Sequence, residues 1–434
     1  MNKKLMVAIA ILAGALYLLG APVPAQAQGN TWVGANLAQM VEAAGWRLGL
    51  LRVNAAFTLA NAGYDTDVYY GYLEEPVPDW TFSAGLPVQI LIPLSKKVVL
   101  DLSDTPQYLF YLDTERERAW NNTFQGHLHF ALDKIYIQAG GGMSDVRRRF
   151  SPELDINVRE KRDSLDGLFL WQASKTTSFA LLYGWAKFGY GDAVYLGTPI
   201  SGMLDREEQF INFVTFIQPS SRTRLFLDGQ YGTYAFLSEV SAERDAKSYG
   251  AFAGVEFIPR TGELARGLGI RGGFRLGYTW LDLDDPLFVD GSGFAGDGDV
   301  SVDLSRKTSI RAFLSRGFQF SIYSGASYYM STSYGTGLSQ MLSRKTTFSY
   351  DLTFGRSSYP DSEDGSGLGY RFTTHAFNLA LRLARRLEMA FMATLGRRET
   401  EATALPRDRH FFGISLTYGY GAAGMPSPVG GPGR

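Results

Sequence analysis

Alternating apolar and polar positions fill most of this chain, in segments of roughly a dozen residues separated by short polar turns. The turn recurs eight times at intervals of about forty residues, and its clearest form is Ser-Lys/Arg-Thr. Clear copies lie at 174–176, 221–223, 305–308 and 343–346, and looser copies lie at 95–97, 132–134, 259–267 and 384–386. The other ends of the segments meet in longer stretches rich in Gly, Asp, Ser and Pro. Tight turns at one end, longer loops at the other and alternating strands between them are typical of a transmembrane β-barrel.

The turns also predict the number of strands. A sheet in a membrane leaves no free edge, because unpaired backbone groups in hydrocarbon cost several kcal/mol each. Eight turns account for sixteen strand ends, and a first and a last strand complete the sheet. We therefore expect an all-β, antiparallel up-and-down barrel of about 18 strands (16–18), with short periplasmic turns and longer extracellular loops. The expected barrel spans 47–420, beginning with strands 47–59 and 80–94 and ending with 370–384, 386–398 and 407–420.

The two faces of the strands predict which side meets lipid. Along one strand, Ile270, Phe274, Leu276, Tyr278 and Trp280 share a face, and Arg271, Arg275 and Thr279 share the other. Polar faces carry many Gly, Ser and Thr residues, while Tyr and Trp stand near the ends of apolar stripes. That distribution favours an apolar exterior with aromatic girdles over the apolar interior of a soluble sandwich.

The ends of the chain are distinct from the barrel. Residues 1–27 have a basic start, an apolar run and a small-residue cleavage site, which is typical of a secretory signal peptide. In the segment 28–46, apolar residues at helical spacing predict a short periplasmic helix. This helix is expected to rest at the barrel mouth, and the alternative is a plug that enters the lumen. The Gly/Pro-rich tail 421–434 is expected to be disordered.

Composition excludes several classes of protein. The chain has no Cys, so disulfides, thiolate metal sites and a lipoprotein anchor are excluded. The formal net charge of −1 gives no basic footprint for nucleic acid. After the signal, no apolar run is long enough for a membrane-spanning helix. No cofactor is expected.

Several short motifs resemble a known family. They are the segment 63–68 (Gly-Tyr-Asp-Thr-Asp-Val), the Ser-Arg/Lys-Thr turns, Arg244-Asp245 before Ser248-Tyr249, and Gly277-Tyr278 near Asp282. Over most of its length the chain resembles the putative β-barrel porin 2 family, whose barrels are often encoded with exopolysaccharide synthesis genes. The resemblance implies a barrel with an export or diffusion role and no catalytic residues. The segment 410–418 also resembles the terminal strand that barrel-assembly machinery recognises, so this machinery is an expected partner.

Polar faces supply the candidate pore residues. These candidates for the lumen are His127, His129, Asp228, Glu256, Arg271, Arg275, Asp351, Arg382 and Glu388. Acidic and basic residues on opposed walls would create a transverse field that orients polar solutes. Alternatively, these charges only solvate the wall or pair with one another.

Charged residues near the loops supply a second set of candidates. Arg147, Arg148, Arg149, Arg159 and Lys161 are predicted to form a basic patch near the extracellular rim. Such a patch would contact an acidic glycan or the phosphates of lipopolysaccharide, unless nearby acids neutralise it. The acidic stretch 282–299 is expected to be a hydrated loop, with Ca²⁺ binding as the alternative.

These features predict a channel rather than an enzyme. We expect an outer-membrane channel of a Gram-negative-type bacterium that passes hydrophilic solutes and is linked to exopolysaccharide export. Outer-membrane lipids, lipopolysaccharide, polysaccharide and periplasmic export proteins are expected partners. A general diffusion porin and a plugged structural or adhesive barrel are the alternatives. The four His residues fall on separate strands or at alternate positions of one strand, so no Ser-His or Asp-His pair is predicted.

Overall fold

Eighteen antiparallel strands close into one barrel in the computed structural model. The structure describes residues 33–69, 75–151, 153–154, 156–191, 193–195, 197–239, 241–258, 269–285, 288–323, 326–359, 369–400 and 403–419. The predicted fold class and strand number are therefore confirmed. The predicted signal peptide 1–27, the predicted turn 259–267 and the tail 421–434 lie outside the described residues.

Strand bounds are as follows, in chain order. The first part contains β1 (Trp46–Leu48), β2 (Leu51–Asp65), β3 (Asp79–Gly85), β4 (Val88–Pro93), β5 (Val98–Asp104), β6 (Gln107–Tyr111), β7 (Ala119–Ala131), β8 (Ile135–Arg148), β9 (Val158–Gln172), β10 (Thr177–Tyr190), β11 (Val194–Tyr195) and β12 (Thr198–Pro199). The second part contains β13 (Arg206–Ser220), β14 (Thr223–Phe236), β15 (Ala246–Phe257), β16 (Gly269–Leu283), β17 (Gly291–Asp303), β18 (Thr308–Phe320), β19 (Tyr328–Ser343), β20 (Thr346–Ser358), β21 (Tyr370–Ala384), β22 (Leu387–Thr400) and β23 (Thr403–Gly419).

Two barrel strands are each split in two by a proline. Pro87 separates β3 from β4, and Pro106 separates β5 from β6. Proline has no N–H to donate to the ladder, so the regular pairing is interrupted there. Its carbonyl still accepts: Ala56 N donates to Pro87 O at 3.1 Å and Leu86 N donates to Pro106 O at 3.0 Å. The sheet therefore stays hydrogen-bonded across both breaks.

Pairing between β2 and β23 closes the barrel. The register runs from Ala56↔Gly419 to Asp65↔Phe411 and shifts between Leu59 and Ala62. The same stretch shifts against β3, and Asn61 has a positive φ of 52°. Asn tolerates this left-handed conformation better than most residues, so it is suited to a bulge that bends the closing strand.

The first strand differs from the prediction. Residues 46–48 form the short strand β1, which folds back on β2 with Trp46 opposite Val53. The predicted first strand 47–59 is therefore wrong, since β2 runs from Leu51 to Asp65 and includes the start of the predicted loop. Strand β1 occupies the edge of β2 beyond the last pair with β23, and there it supplies hydrogen-bond partners.

Serine side chains explain the recurring turns. The Ser174 hydroxyl accepts hydrogen bonds from Thr176 N at 3.1 Å and Thr177 N at 3.0 Å. Ser305 accepts equivalent bonds from Lys307 and Thr308, both at 3.1 Å. A short hydroxyl side chain thus pairs backbone donors that the strands leave free. These turns define the turn end of the barrel, and the opposite end is the loop end.

Helical elements are few. The helices are α1 (Val33–Glu42) and α2 (Ile200–Leu204), and single 3-10 turns occur at Glu115–Glu117 and Ala242–Arg244. Within the part of the chain that is described, none of the helices has the length and apolarity needed to traverse a membrane.

Large apolar side chains project outward from the barrel. Among the most exposed are Trp80, Trp120, Met143, Leu165, Leu227 and Phe294. Their strand neighbours, at alternate positions, face the lumen and are mostly buried or half-buried. An apolar exterior and a polar interior are what a bilayer requires of a barrel.

Several lumen-facing Phe rings lie flat over a glycine of the neighbouring strand. A Cβ on Gly184 would lie 2.2 Å from the Phe210 ring, and one on Gly254 would lie 2.2 Å from Phe226. The same arrangement joins Gly277 to the ring of Phe252. The glycines let these rings lie against the wall instead of projecting into the lumen.

The ring packing predicts an effect on stability. Gly184→Ala should destabilise the barrel by about 1–3 kcal/mol, because the new methyl group displaces the Phe210 ring. Gly189, on the same strand, has nothing within 4 Å of an added Cβ. Gly189→Ala should therefore stay within about 0.5 kcal/mol of the wild type. Urea unfolding in lipid vesicles, followed by Trp fluorescence, measures both; equal effects would contradict the packing argument.

Candidate functional site: the lumen

Helix α1 lies inside the turn end of the lumen. Its buried residues Leu37 and Val41 form one apolar cluster with lumen-facing residues of β4, β5, β7 and β8, namely Leu91, Val99, Ala131 and Tyr136. Leu168 and Leu170 of β9 pack against the same cluster. The contacts correct the expectation of a helix that only rests at the mouth, because the covered wall faces inward. An apolar patch on an otherwise polar inner wall is stable when a helix covers it.

At the loop end, three loops fold into the lumen. Leu154 lies between β8 and β9, Ile200 and Leu204 lie in α2, and Ile322 lies between β18 and β19. They pack against lumen-facing aromatic residues of the strands, which include Phe188, Tyr190, Phe210, Tyr234 and Phe236. We call this group the loop cluster. It fills the loop end of the lumen beside β10 and β13–β19 with apolar side chains.

Arg244 holds two of these loops together. Its guanidinium donates to Ser321 O at 2.8 Å, Tyr323 O at 2.5 Å and Ala326 O at 3.0 Å. A further bond at 3.5 Å reaches Met203 O in α2. Burial lowers the pKa of Arg244 to about 10, against the opposing effect of Glu153, so the side chain remains charged at neutral pH. A charged donor that serves four backbone carbonyls fixes the loops relative to one another.

Glu153 joins the loop between β8 and β9 to the loop between β18 and β19 and to Tyr359. Its carboxylate accepts hydrogen bonds from Ser321 Oγ at 2.7 Å, Ile322 N at 2.8 Å and the Tyr359 hydroxyl at 2.5 Å. Complete burial raises the pKa of Glu153, and these bonds together with the charge of Arg244 act in the opposite direction. The side chain is thus a buried acid whose protonation is coupled to loop packing.

The predicted pore residue Arg275 is at the centre of an ion-pair network. Its Nε donates to Asp297 at 2.6 Å, and its Nη1 is hydrogen-bonded to Asp228. Asp228 also accepts a bond from Gln230 at 2.5 Å. The guanidinium lies over the Phe252 ring at 4.6 Å. Arg275 therefore lies along the wall between two acids, on a ring that itself packs against a glycine.

Other predicted pore charges pair in the same way. Glu256 binds Arg224 at 2.9 Å and Arg271 lies 3.4 Å from Asp303. Gly337 lies opposite Asp351 on one neighbouring strand and opposite Arg311 on the other. The Asp351 side chain packs over this glycine. The opposite charges therefore lie on neighbouring strands of one wall, not across the lumen. The predicted transverse field is replaced by local neutralisation.

The two predicted lumen histidines lie on another part of the wall, in strand β7. His127 Nε2 is 3.1 Å from an Asp166 carboxylate oxygen, and His129 Nδ1 is 2.7 Å from the Tyr136 hydroxyl. Gln138 links Tyr136 to Asp166, with bonds of 3.2 Å and 3.4 Å. Spacing along the sequence could not reveal Asp166, which lies two strands away from His127. Among the described residues, no group of three or more His, Asp or Glu is placed to hold a metal ion.

Arg382 and Glu388 lie directly opposite each other near the turn end. Both are exposed and both face inward, beside the mouth that α1 enters. They lie at the turn-end opening of the lumen, away from the loop cluster.

The predicted basic patch is divided between the two faces of the wall. Arg148 faces inward and binds Glu160 at 2.9 Å, whereas Arg159 faces outward and binds Asp145 at 2.6 Å. Arg147 binds the buried Glu117 at 3.0 Å. Arg149 donates to Tyr69 O at 3.2 Å, and Lys161 lies on the outer face of β9. The five residues thus form no single patch, because alternation sends neighbours to opposite sides and acids meet most of them.

The acidic stretch 282–299 is mostly strand. Asp282 lies in β16, one residue before its end, while Asp297 and Asp299 lie in β17 and bind Arg275 and Arg311. Gly and Asp suggested a loop, but the glycines of β17 allow close packing: a Cβ on Gly298 would lie 2.6 Å from Phe274. The loop prediction is wrong for this stretch, because packing against β16 outweighs the turn propensity of Gly and Asp.

A third wall, β19–β23, is lined mainly by small or hydroxylated residues. From the alternation, the inward positions include Ser331, Ser333, Gly335, Gly337, Ser339, Thr347, Ser349, Thr353, Gly355, Thr374, Ala376, Ala380, Ala390, Thr394, Gly396, Gly413, Ser415 and Thr417. This wall lies apart from the residues that α1 contacts. We call it the hydroxyl wall; its short side chains take up little of the lumen.

An apolar exterior, a polar lumen and inward-folded loops define a porin-like β-barrel of the outer-membrane type. The sequence profile described as "Putative beta-barrel porin 2" matches residues 172–410, more than half of the chain. The protein belongs to this family, as the sequence motifs indicated.

Solved structures with a similar fold include OccAB3 of Acinetobacter baumannii, at 12% identity and a TM-score of 0.48, covering 85% of this chain and 99% of that chain. The outer membrane protein OpdK of Pseudomonas aeruginosa has 13% identity and a TM-score of 0.48, covering 85% and 98%. OpdL of the same organism has 12% identity and a TM-score of 0.47, covering 85% and 99%. No curated protein gives a significant match.

Docking of α1 predicts an effect on conductance. Leu37→Asp with Val41→Asp should release the helix, since each buried side chain contributes about 1.5–3 kcal/mol of apolar burial. Larger current steps in a planar bilayer are expected, because the turn end is then unobstructed. Ala38 is exposed on the same helix, so Ala38→Asp is the matched control. Unchanged steps in the double variant would show that α1 does not obstruct the lumen.

Glu153 predicts a pH dependence of loop packing. Its pKa is raised when the loops are docked, so its contribution to docking is greatest below its ordinary pKa. That contribution is lost as pH rises through the raised value, because the buried carboxyl then ionises. Hydrogen exchange of peptides 149–157 and 321–327, corrected for intrinsic rates, should accelerate over this range.

Glu153→Gln should remove that dependence. Glu243, which is exposed beside Arg244, supplies the control Glu243→Gln, which should keep it. If the pH profile of exchange is the same in Glu153→Gln and wild type, the assignment to Glu153 is wrong.

Proposed function

We propose that this barrel is a partly plugged outer-membrane channel for hydrophilic solutes, and that it takes part in exopolysaccharide export. The observation that carries the channel is the hydroxyl wall, which extends along five neighbouring strands. Hydroxyl groups both donate and accept hydrogen bonds, as the hydroxyls of a saccharide do. A chain of sugars can therefore exchange water for wall contacts at little cost.

Local charge neutralisation supports a neutral or mixed solute over a simple ion. Arg275, Arg311 and Arg224 each bind an acid on a neighbouring strand. Paired charges produce weak fields a few ångströms away, especially in salt solution. Strong selection for anions or cations is therefore not expected from this wall.

The two obstructions support a gated path. Helix α1 and the loop cluster are attached to the barrel by side-chain contacts, whereas the strands are held by continuous backbone ladders. Elements held in this way open at lower free energy than the sheet itself. Solute or a periplasmic partner would displace them without disturbing the barrel. The link to exopolysaccharide rests on membership of the family.

A second candidate is a plugged structural barrel, favoured by the apolar character of the loop cluster. It would not conduct even after α1 is released. A general diffusion porin differs from the export channel because added polysaccharide would not block its current.

Single-channel recording separates these functions. The refolded chain without its leader should give stable current steps, and an acidic polysaccharide added on one side should block them. The expected block arises because a polymer that enters the hydroxyl wall excludes ions. Current steps that persist in the presence of the polysaccharide would indicate a general porin and would contradict the export function. Silence from a correctly folded barrel, with α1 both docked and released, would contradict the channel itself.

A further inference from the structure

Arginines from three strands line up on the outer face of the barrel near its loop end. Arg316 lies opposite Thr332, Thr332 opposite Arg356, and Arg356 opposite Arg371. All four residues occur on β18–β21, on the same face as the exposed Leu314, Tyr334, Phe354 and Phe377. The line spans three strand spacings, or about 14 Å. We call it the arginine line.

Its height on the barrel corresponds to a headgroup region. Tyr334 and Phe354 each lie two residues from the line on their own strand, toward the turn end, and their rings stack at 5.5 Å. Two residues of a strand cover about 7 Å. The arginines therefore lie just beyond the aromatic edge of the apolar band, where lipid phosphates are found.

The charges of the line are unbalanced among the described residues. Arg356 and Arg371 are directly opposite each other, and like charges in this position destabilise a sheet. Arg316 donates to neutral oxygens only, Phe294 O at 3.0 Å and Thr332 Oγ1 at 2.7 Å. These bonds orient its guanidinium along the outer surface without neutralising it.

The neighbouring β22 shows the contrasting arrangement. Arg397 lies 3.1 Å from Glu399 and directly opposite Asp408. Glu399 is also opposite Arg371, but its carboxylate accepts a hydrogen bond from Arg397. The segment 360–368 carries Asp361, Glu363 and Asp364 and lies outside the described residues. The lipid titration therefore also uses a variant in which these acids are changed to amides.

We propose that the arginine line binds the phosphates of a lipopolysaccharide-type glycolipid in the outer leaflet. Arginine binds phosphate with parallel hydrogen bonds, and a line of this length contacts more than one phosphate of a single headgroup. The acyl chains then lie against Tyr334 and Phe354. Bound phosphate also removes the repulsion between Arg356 and Arg371. This inference requires the outer-membrane location and not the transport of any solute.

The test is native mass spectrometry of the detergent-purified full barrel, titrated with a bis-phosphorylated lipid A. The triple variant Arg316→Gln, Arg356→Gln, Arg371→Gln should bind on the order of a hundredfold more weakly, as three lost basic contacts near a membrane surface imply. The control Arg397→Gln changes an outward-facing arginine of the neighbouring strand that is already paired with Glu399, so it should bind like wild type. Dephosphorylated lipid A should not distinguish wild type from the triple variant.

Three results would overturn the proposal: equal lipid A binding by wild type and the triple variant, retention of full affinity for the dephosphorylated lipid, or an acidic polysaccharide that competes for the same arginines. A fourth result would also contradict it: wild type binds no lipid A, but binding appears when Asp361, Glu363 and Asp364 are changed to their amides. In that case the loop acids occupy the arginine line in the wild-type protein. Heat-modifiable gel mobility checks that each variant is folded.

Conductance of the same variants separates this inference from the channel. The arginines face away from the lumen, so the triple variant should give wild-type current steps. A barrel that conducts but does not discriminate the lipids contradicts the lipid site alone, whereas one that binds lipid and stays silent contradicts the channel alone.

Discussion

Backbone hydrogen bonding in a medium without water is the constraint on which the whole structure depends. A sheet edge in hydrocarbon leaves donors and acceptors unpaired at several kcal/mol each. The chain meets this requirement by pairing β2 with β23, and it tolerates a bulge at Asn61 to do so. Strand β1 pairs with residues 51–53 of β2, which lie beyond the part of β2 that pairs with β23. Even the prolines that split two strands keep their carbonyls in the ladder.

Once the sheet is closed, alternation decides the environment of every side chain, and register decides its partners. Arg275 and Arg316 illustrate this. Both lie on barrel strands, but Arg275 faces inward and meets Asp228 and Asp297, whereas Arg316 faces outward and, among the described residues, donates hydrogen bonds only to neutral oxygens. The inner arginine is thereby made part of the wall, stacked on Phe252. The outer one keeps a charge that the membrane surface can neutralise.

The sequence predicted what depends on short-range pattern. The Ser-Lys/Arg-Thr turns located strand ends because a serine hydroxyl pairs backbone donors there. Alternation predicted inward-facing positions for His127, Asp228 and Arg275, and the structure buries all three side chains. Contacts between residues distant in sequence could not be predicted. They include Asp166 beside His127, the hydrogen bond from Arg244 to Tyr323 O, and the alignment of Arg316 with Arg356. Glycine misled the analysis at β17, where it serves close packing and not a turn.

The interior obstructions follow from the same geometry. A barrel of this width cannot fill its lumen with strand side chains alone, since barrels of comparable strand number leave a channel. Additional chain is needed to narrow it, and here the chain supplies a helix at one end and three loops at the other. Their fixation differs in kind: α1 relies on apolar burial by Leu37 and Val41, while the loops rely on Arg244 and Glu153 as well. The turn end is therefore sensitive to whatever competes for an apolar surface, and the loop end to whatever changes the charge of one buried acid.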